Sequence, residues 1–335
     1  MRGEIVVALD AMGGDHAPRA LVEGALKARR EWGIRVLLVG DEERIRAELE
    51  QLGGGDGLEE HIVHAPLVVG MDEEGAWAFR HKPDSSVAVA ARLVREGKAQ
   101  AMVSAGNTGA AMAAATLCWG RLKGIKRPAI AVPLPSAGSR VFLLDAGANP
   151  DCQPEHLRQF ALLGSVYASL AEGGEWPRVG LINIGEEEGK GNELAREAHR
   201  LLRGDHRINF VGNVEGRELL SGKADVVVTD GFTGNVILKT VEGIASLMAN
   251  WLLEEVSRLG ESKAGEFVPV LLKLRERMDY RNLGGAPLLG VKGVCIIAHG
   301  RSDATAVGNS IRVAAEAVRQ GLPGRTEALL AEMEA

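Results

Sequence analysis

The sequence is poor in cysteine and in aromatic residues, and each shortage argues against a class of function. Of its 335 residues three are cysteines, at positions 118, 152 and 295. Their wide spacing and odd number give neither a disulfide framework nor a CxxC metal site. Aromatic residues make up 4% of the chain, too few for platforms that stack nucleic-acid bases. The net charge of −6, without a basic block, argues further against nucleic acid as a partner.

Long apolar runs and several familiar motifs are also missing. No apolar run reaches the roughly 18 residues of a spanning helix, and the first run stops at Asp10, short of a secretory signal. We therefore expect a cytoplasmic protein. The chain has no GxGxxG, P-loop, HExxH or GxSxG pattern, which argues against dinucleotide sites and common hydrolases.

Short apolar runs alternate with helical patterns over nearly the whole chain. Helical patterns such as 86–96 and 155–171 lie between the runs. The predicted strands are 5–9, 36–39, 62–65, 101–104, 130–133, 141–144, 179–184, 209–211, 225–229 and 294–298. This alternation predicts a doubly wound α/β fold with a mostly parallel sheet, in a Rossmann-like three-layer α/β/α arrangement. We expect a single domain over residues 1–335.

The alternation breaks in the last third of the chain. Residues 235–259 have a helical pattern, a polar break follows at 260–265, and a second helix is predicted over 269–278. These segments predict a helical hairpin inserted over residues 236–280, before the last strand.

Glycine is abundant, with 43 residues, and much of it lies in polar loops directly after predicted strands. Five such loops cover 10–15, 104–109, 145–149, 183–192 and 229–235. In a doubly wound sheet these strand ends lie at the edge where ligands bind. Glycine lets backbone N–H groups approach an anion, and a following helix adds its positive end. Any one loop on its own could equally be a tight turn.

The loop NIGEEEGKGNE adds a cation to this group. Lys190 stands between two glycines in an acidic loop, where it could neutralise a phosphate or stabilise an oxyanion. The alternative is a solvated lysine. Amide donors are available at Asn107, Asn149, Asn192, Asn213 and Asn235, although single asparagines are common turn residues.

Eight motifs occur in order between about residues 4 and 318. They are ALDAMGGDHAP, VSAGNTGA, GRLKGIKRPAIA, DAGANPDC, NIGEEEGKGNE, FVGNVEGRE, DVVVTDGFTGNVILKTVEG and GVCIIAHGRSDA. Together they resemble the bacterial phosphate acyltransferases of phospholipid synthesis. The resemblance implies transfer of a long acyl chain from acyl carrier protein to inorganic phosphate, without a metal or organic cofactor. It also implies a homodimer related to phosphotransacetylases and to the isocitrate-dehydrogenase type of fold. The acyl phosphate would pass to a glycerol-3-phosphate acyltransferase at the membrane.

The resemblance also suggests roles for the polar loops. Asp10 and residues 13–15 would form one wall of a cleft that holds phosphate and the pantetheine thioester. For direct attack by phosphate we expect Lys190 to supply charge, Asn192 and Asn235 to donate, and the N–H groups of 231–234 to bind phosphate. The predicted substrate-binding residues are Asp10, Gly13, Gly14, Asp15, His16, Asn107, Thr108, Asn149, Asn213, Asp230, Gly231, Thr233, Gly234 and His299.

Three other functions compete with this hypothesis. A ping-pong route would pass through an acyl group on Cys152, whereas Cys118 and Cys295 are expected in the core. An NAD(P)-dependent oxidoreductase of related fold would need the dinucleotide spacing that the chain lacks. A non-catalytic scaffold that binds carrier protein and membrane would have no use for five polar loops.

Two surfaces are candidates for partner binding. Because acyl carrier protein is acidic, we expect it to dock on Arg121, Lys123, Lys126 and Arg127, unless these form an ordinary solvated turn. The predicted hairpin combines an apolar stripe over 244–259 and an apolar arm at 267–274 with nearby cations. This composition is typical of a segment that lies on anionic lipid, so we expect peripheral contact with the inner face of the cell membrane. The alternative is that these faces bury each other and a partner subunit.

Overall fold

The computed structural model describes residues 4–137, 140–174, 176–258, 267–269 and 284–333. The strands are β1 (Val6–Asp10), β2 (Arg35–Gly40), β3 (Ile62–His64), β4 (Ala101–Ser104), β5 (Ala129–Ile130), β6 (Val132–Pro135), β7 (Arg140–Leu144), β8 (Arg178–Asn183), β9 (Asn209–Glu215), β10 (Val226–Val228), β11 (Ala286–Leu289) and β12 (Val294–Ile297).

Helices connect most of these strands. They are α1 (Arg19–Trp32), α2 (Glu42–Gln51), α3 (Gly75–His81), α4 (Ser86–Arg95), α5 (Thr108–Trp119), α6 (Pro154–Glu172), α7 (Glu193–Gly204), α8 (Gly231–Ser257), α9 (Ala304–Arg319) and α10 (Leu322–Glu332).

The strands form two sheets. The first has the order β3-β2-β1-β4-β12-β11-β5 and the second the order β6-β7-β10-β8-β9. All neighbouring pairs are parallel except those that involve β11 and the β6–β7 pair. The predicted α/β class with mostly parallel pairing is therefore confirmed, whereas the division into domains stays a prediction.

The strands are divided between two sheets rather than joined in one, and the chain passes from one sheet to the other within the strand predicted at 130–133. Ala129–Ile130 pairs with β11 in the first sheet, whereas Val132–Pro135 pairs with β7 in the second. The chain therefore crosses between the sheets at Ala131. An apolar run looks continuous in sequence even when its two halves join different sheets.

Strand β11 has no counterpart among the predicted strands. It contains Pro287 and is flanked by Gly285 and Gly290, residues that usually mark turns. Here the proline is accommodated because its carbonyl accepts from the Ala131 N–H at 3.1 Å, and an acceptor is all that proline can offer a sheet.

The core is built from the strands and the inner faces of the helices. Leu9, Leu38 and Leu143 are fully buried. Helices α1 and α9 pack closely, since a Cβ at Gly24 would lie 2.6 Å from the Val307 side chain. Cys295 is buried in β12, as expected for a core residue, and burial raises its pKa to about 12.

The first arm of the predicted hairpin is present as α8, which begins at Gly231 rather than at 235. Contrary to the sequence expectation, α8 is long and apolar enough, by length and composition alone, to cross a membrane. Residues 267–269 are helical. The remainder of the second arm lies outside the described residues, including Leu271, Leu272 and the cations at 273, 275 and 277, as does Lys263 in the polar break.

Candidate active site

A cleft of about 840 Å³ opens between the two sheets, within the size range of small-molecule sites. Its walls come from β6, the first part of α8, and the loops that follow β1, β4, β7 and β12. Charged and polar side chains at its surface are Asp15, Thr108, Ser136, Asn235, Lys239, Glu242, His299, Arg301 and Ser302. The cleft therefore collects side chains from both sheets at one place.

Asp10 holds the first two polar loops together. The carboxylate is 3% exposed and accepts from the Ser104 hydroxyl at 2.7 Å and from the Met12 N–H at 3.3 Å. Burial raises its pKa. Gly13 packs beside it so closely that a Cβ would lie 2.7 Å from the Gly106 nitrogen. Asp10 and Gly13 thus fix the loop after β1 against the loop after β4.

The rest of the first loop has two different environments. Gly14 adopts φ +103° against the Gly300 carbonyl, a conformation that favours glycine. The Asp15 N–H donates to the same carbonyl at 2.8 Å, and its side chain reaches the cleft. His16 is exposed and is not among the residues that line the cleft.

Asn107 is used to join the loop after β4 to residues 70–73. Its Oδ1 accepts from the Ala110 N–H at 2.9 Å and so caps α5. Its Nδ2 donates to the carbonyls of Gly70 and Glu73 at 2.9 and 2.8 Å. Thr108, the next residue, lines the cleft at the start of α5.

Asp145 organises the loop after β7. It is fully buried, and its carboxylate accepts from the N–H groups of Ile130, Ala148 and Asn149 at 3.0, 3.0 and 2.7 Å. Asn149 Nδ2 donates to the same carboxylate at 2.8 Å and to the Pro128 carbonyl at 2.7 Å. Burial raises the pKa of Asp145. The amide of Asn149 is therefore part of this network rather than open to a substrate.

The start of α8 uses its own N–H groups. Asp230 Oδ1 accepts from the Thr233 N–H at 2.8 Å and Oδ2 accepts from the Thr233 hydroxyl at 2.8 Å. The Gly231 N–H donates to Asn149 O at 2.8 Å, and the Gly234 N–H donates to Asp230 O at 2.9 Å. These three N–H groups, predicted to bind phosphate, are already bonded within the protein here. Binding of phosphate by this loop stays a prediction.

The loop with Lys190 lies at the carboxyl end of β8, outside the cleft lining. Lys190 is exposed, and its stem covers Gly185. Asn192 caps α7 by accepting from the Ala195 N–H at 2.9 Å. Asn213 is buried, with Oδ1 2.9 Å from His199 Nδ1 and Nδ2 donating to Glu187 O at 2.9 Å. Both ends of the Asn213 amide thus hold the loop, and the substrate contact predicted for Asn213 stays a prediction.

Lys239 and His299 form a polar cluster inside the cleft. Lys239 Nζ lies 2.8 Å from Glu242 Oε2 and 2.6 Å from His299 Nε2. His299 Nδ1 accepts from the Arg301 N–H at 3.1 Å. Burial, followed by the charge of Lys239, lowers the pKa of His299. A neutral imidazole has one acceptor nitrogen, so either Lys239 or the Arg301 N–H is its donor at any moment.

Of the predicted substrate and catalytic residues, the cleft brings together Asp15, Thr108, Asn235 and His299. Asn235 lies beside the loop after β7, where a Cβ at Gly147 would be 3.7 Å from its side chain. Sequence reasoning missed Lys239, Glu242 and Arg301. A signal for the first two was available, because residues four and seven positions after Asn235 share its helix face.

Cys152 does not line the cleft. It is partly buried, and its thiol donates to Asn149 O at 3.5 Å. Burial and the nearby Asp145 carboxylate raise its pKa to about 12, so the thiolate needed for nucleophilic attack is strongly disfavoured. Among the described residues, no three His, Cys, Asp or Glu side chains are grouped so that they could hold a metal ion.

Comparison with known sequences gives close relatives over nearly the full chain. A family model described as "Fatty acid synthesis protein" matches residues 5–325. A curated phosphate acyltransferase from Desulforamulus reducens is 52% identical over 319 residues, covering 95% of both chains. Another from Pelotomaculum thermopropionicum is 52% identical over 318 residues, covering 94% of this chain and 92% of the relative.

Solved structures share the fold at low identity. A phosphotransacetylase from Streptococcus pyogenes has a TM-score of 0.65 at 15% identity, and the EutD phosphotransacetylase from Staphylococcus aureus one of 0.61 at 15%. In both cases 94% of each chain is covered. The chain is thus an α/β protein of the phosphotransacetylase-like fold, with a ligand-sized cleft between two sheets.

Sequence identity narrows this class further. The chain belongs to the family of fatty acid synthesis proteins, alongside relatives that are phosphate acyltransferases. It is an acyltransferase, and the family resemblance predicted from the eight motifs is confirmed.

Proposed function

We propose that this enzyme transfers a long-chain fatty acyl group from acyl carrier protein to inorganic phosphate, which gives acyl phosphate for phospholipid synthesis. The mixed lining of the cleft carries the proposal: it contains the polar side chains of Lys239, His299 and Arg301 together with apolar side chains of α8 and β6. A phosphate anion and an aliphatic chain need these two kinds of surface. The names of the close relatives support acyl transfer to phosphate.

Direct attack by phosphate accounts for the chemistry. A phosphate oxygen attacks the thioester carbon, the carbonyl oxygen takes up negative charge, and the C–S bond then breaks to release the carrier thiolate. Phosphate dianion is nucleophilic at neutral pH, so the enzyme acts by holding both substrates together and stabilising the oxyanion. In this proposal Lys239 and Arg301 supply positive charge, and Asn235 supplies an amide donor.

Lys190 and Asn192 keep a proposed catalytic role, which requires that the Lys190 side chain extend to the bound phosphate. Their loop follows β8, which neighbours β10, and β10 leads into α8 and Asn235. The loop therefore lies next along the same sheet edge, where a lysine side chain could contact a phosphate held at Asn235. If Lys190→Ala keeps normal turnover and an unchanged KM for phosphate, this role is wrong.

Direct attack is preferred over a route through acyl-Cys152. The raised pKa of Cys152 disfavours the nucleophilic thiolate, and the residue does not line the cleft where the thioester would bind. We expect Cys152→Ser to retain activity and no acyl-enzyme to form when phosphate is omitted. A trapped acyl-Cys152 would reverse this preference.

Product identification tests the reaction itself. Purified protein would be incubated with palmitoyl-acyl carrier protein and phosphate, and acyl phosphate would be sought by mass spectrometry, with isotopically labelled phosphate to confirm the new bond. We expect acyl phosphate and free carrier thiol in equal amounts. Absence of acyl phosphate would reject the proposal, and binding of NAD or NADP in a parallel fluorescence titration would favour the oxidoreductase alternative.

The carrier would dock on the basic patch formed by Arg121, Lys123, Lys126 and Arg127, all of them exposed. Arg121 also donates to the Lys126 carbonyl, which shapes the turn. Replacing Lys123 and Lys126 with Glu should raise the KM for carrier-bound substrate and leave that for phosphate unchanged. A matched control changes Arg44 and Lys98, exposed cations elsewhere, to Glu. Equal effects of the two pairs would reject a specific docking patch.

The exposed apolar side of α8 supports peripheral membrane contact, a homodimer, or both. Ile244, Leu247 and Trp251 are 53%, 46% and 59% exposed. We propose that this side meets the anionic inner membrane surface, where product passes to a glycerol-3-phosphate acyltransferase. Changing Leu247 and Trp251 to Glu should abolish flotation with anionic liposomes. If the dimer dissociates instead, as judged by sizing, the surface belongs to the subunit interface.

A further inference from the structure

Helix α8 presents two different stripes to the cleft. Asn235, Lys239 and Glu242 are spaced by four and three residues and form a polar stripe. Leu238, Val241, Ala245 and Met248 are spaced by three, four and three residues and form an apolar stripe beside it. Residues with such spacing lie on one helix face, so polarity changes across the width of the helix.

The first part of the apolar stripe packs on the second sheet. Leu238 and Val241 pack against the apolar cluster that contains Leu134, Val141 and Leu143. Val132 and Leu134 of β6 line the opposite wall of the cleft. We call the space between the apolar stripe of α8 and β6 the acyl groove. From Leu238 to Met248 the groove extends for ten residues, about 15 Å of helix.

We propose that the aliphatic chain of the acyl donor lies in the acyl groove and that Ala245 determines how long a chain fits. This inference rests on the proposed function, which supplies a substrate with one polar reacting end and one long apolar end. The reacting carbonyl would lie beside Lys239 and His299. Phosphate and pantetheine are both polar, so the fatty acyl chain is the part of the substrates that matches an apolar groove.

Ala245 is the small residue partway along the groove. It lies six residues beyond Lys239, about 9 Å along the helix axis, and is only partly exposed. Met248, at the far end, is 50% exposed. The groove is therefore open at its far end, and the small side chain of Ala245 leaves room for a chain to pass. A large side chain at 245 would close it partway.

The test compares donors of two lengths in Ala245→Trp. Palmitoyl- and octanoyl-acyl carrier protein would be assayed with phosphate, and kcat/KM determined for each. Each methylene excluded from the groove should lower kcat/KM about fourfold, equivalent to ~0.8 kcal/mol. We expect the palmitoyl donor to lose about 10²-fold or more and the octanoyl donor to stay within about threefold. Ala245→Leu, with less added bulk, should give a smaller shift in the same direction.

Ser246→Trp is the matched control. Ser246 is the next residue of α8, is exposed and does not line the cleft, so the same bulk there should leave the donor preference unchanged. If both Ala245 variants keep the wild-type ratio of the two donors, or lose both donors equally, the acyl groove is misplaced. Turnover of either donor by the wild-type enzyme keeps the proposed function intact in that case, whereas turnover of neither rejects the function itself.

Discussion

The same cleft is bordered by the loops after β1, β4 and β7 and by the first half of α8. The polar groups of the loops and of the helix have different roles. Asp10, Asn107 and Asp145 are buried or nearly so, and their hydrogen bonds hold one loop to another. Lys239 and Asn235 are exposed on α8 and line the cleft. The loops build the walls, and α8 together with the loop after β12 presents groups that can meet a ligand. Polarity at a strand end therefore does not by itself distinguish a side chain that lines the cleft from one that holds a loop in place.

The largest expected effect comes from breaking the Asp145 network. Asp145→Ala leaves the buried N–H groups of Ile130, Ala148 and Asn149 without their acceptor. Loss of a buried, multiply bonded carboxylate should lower the free energy of unfolding by about 4 kcal/mol, measured by urea denaturation. Asp151→Ala, at an exposed position nearby, should change it by less than ~0.5 kcal/mol. Comparable values for the two variants would show that the loop does not depend on this carboxylate.

The next effect concerns close packing at the start of α8. A Cβ at Gly234 would overlap the Asp145 carbonyl oxygen, whereas a Cβ at Gly243 would meet nothing within 4 Å. Gly234→Ala should therefore destabilise the protein by about 3 kcal/mol. Gly243→Ala, in the same helix, should stabilise it by up to ~1 kcal/mol through helix propensity. Thermal or urea unfolding of both variants gives the comparison, and a neutral Gly234→Ala would mean that α8 does not rest on this loop.

A smaller effect on stability is expected from Asp205, whose carboxylate is paired with arginines, unlike the buried loop residues Asp10 and Asp145. Burial opposes ionisation of Asp205, but hydrogen bonds and charge from Arg207 and Arg158 outweigh it and lower its pKa from 3.8 to about 2. Because the folded-state pKa is below the unfolded one, the stabilisation is present above about pH 4 and is lost as pH falls towards 2. The ionised Asp205 should therefore contribute about 2 kcal/mol to the free energy of unfolding at neutral pH.

Asp205→Asn measures this contribution. The variant should be about 2 kcal/mol less stable than wild type at pH 7, and urea denaturation at decreasing pH should show the difference narrowing below about pH 4. Asp56→Asn is the control, since Asp56 pairs with Arg30 at the surface and should contribute less than ~1 kcal/mol. A difference that stays constant down to pH 3 would mean that ionisation of Asp205 is not the source.

Much of the fold could be predicted from local sequence patterns, whereas the candidate site could be predicted only in part. Short apolar strands separated by helices predicted the α/β class, because each strand and helix carries its own periodicity. The split at Ala131 and the pairing of β11 depend on contacts between residues distant in sequence, which no local pattern contains. Gly and Asp after strands correctly indicated the cleft region. Asn107 and Asn213 could not be distinguished from ligand contacts, because an amide used for folding has the same sequence signal as one open to substrate.

Lys239 illustrates the opposite case. It lies within an apolar helix, one turn after Asn235. Its place in the polar cluster depends on His299, which is sixty residues away in the chain but has its Nε2 2.6 Å from Lys239 Nζ. Lys190 attracted attention because its neighbours are glycine and acid. In the structure it is Lys239 that lines the cleft, although nothing in its local sequence sets it apart.

We propose that acyl transfer takes place in the cleft, at the cluster of Lys239 and His299. The most direct test is steady-state kinetics of Lys239→Ala with acyl carrier protein donor and phosphate, beside Lys292→Ala as an exposed lysine outside the cleft lining. We predict that Lys239→Ala lowers kcat/KM by about 10²- to 10³-fold with an unchanged unfolding midpoint, whereas Lys292→Ala behaves as wild type. A Lys239→Ala enzyme within twofold of wild type, in an assay where Lys190→Ala is inactive, would contradict a catalytic role of Lys239 and move the reaction to the loop after β8.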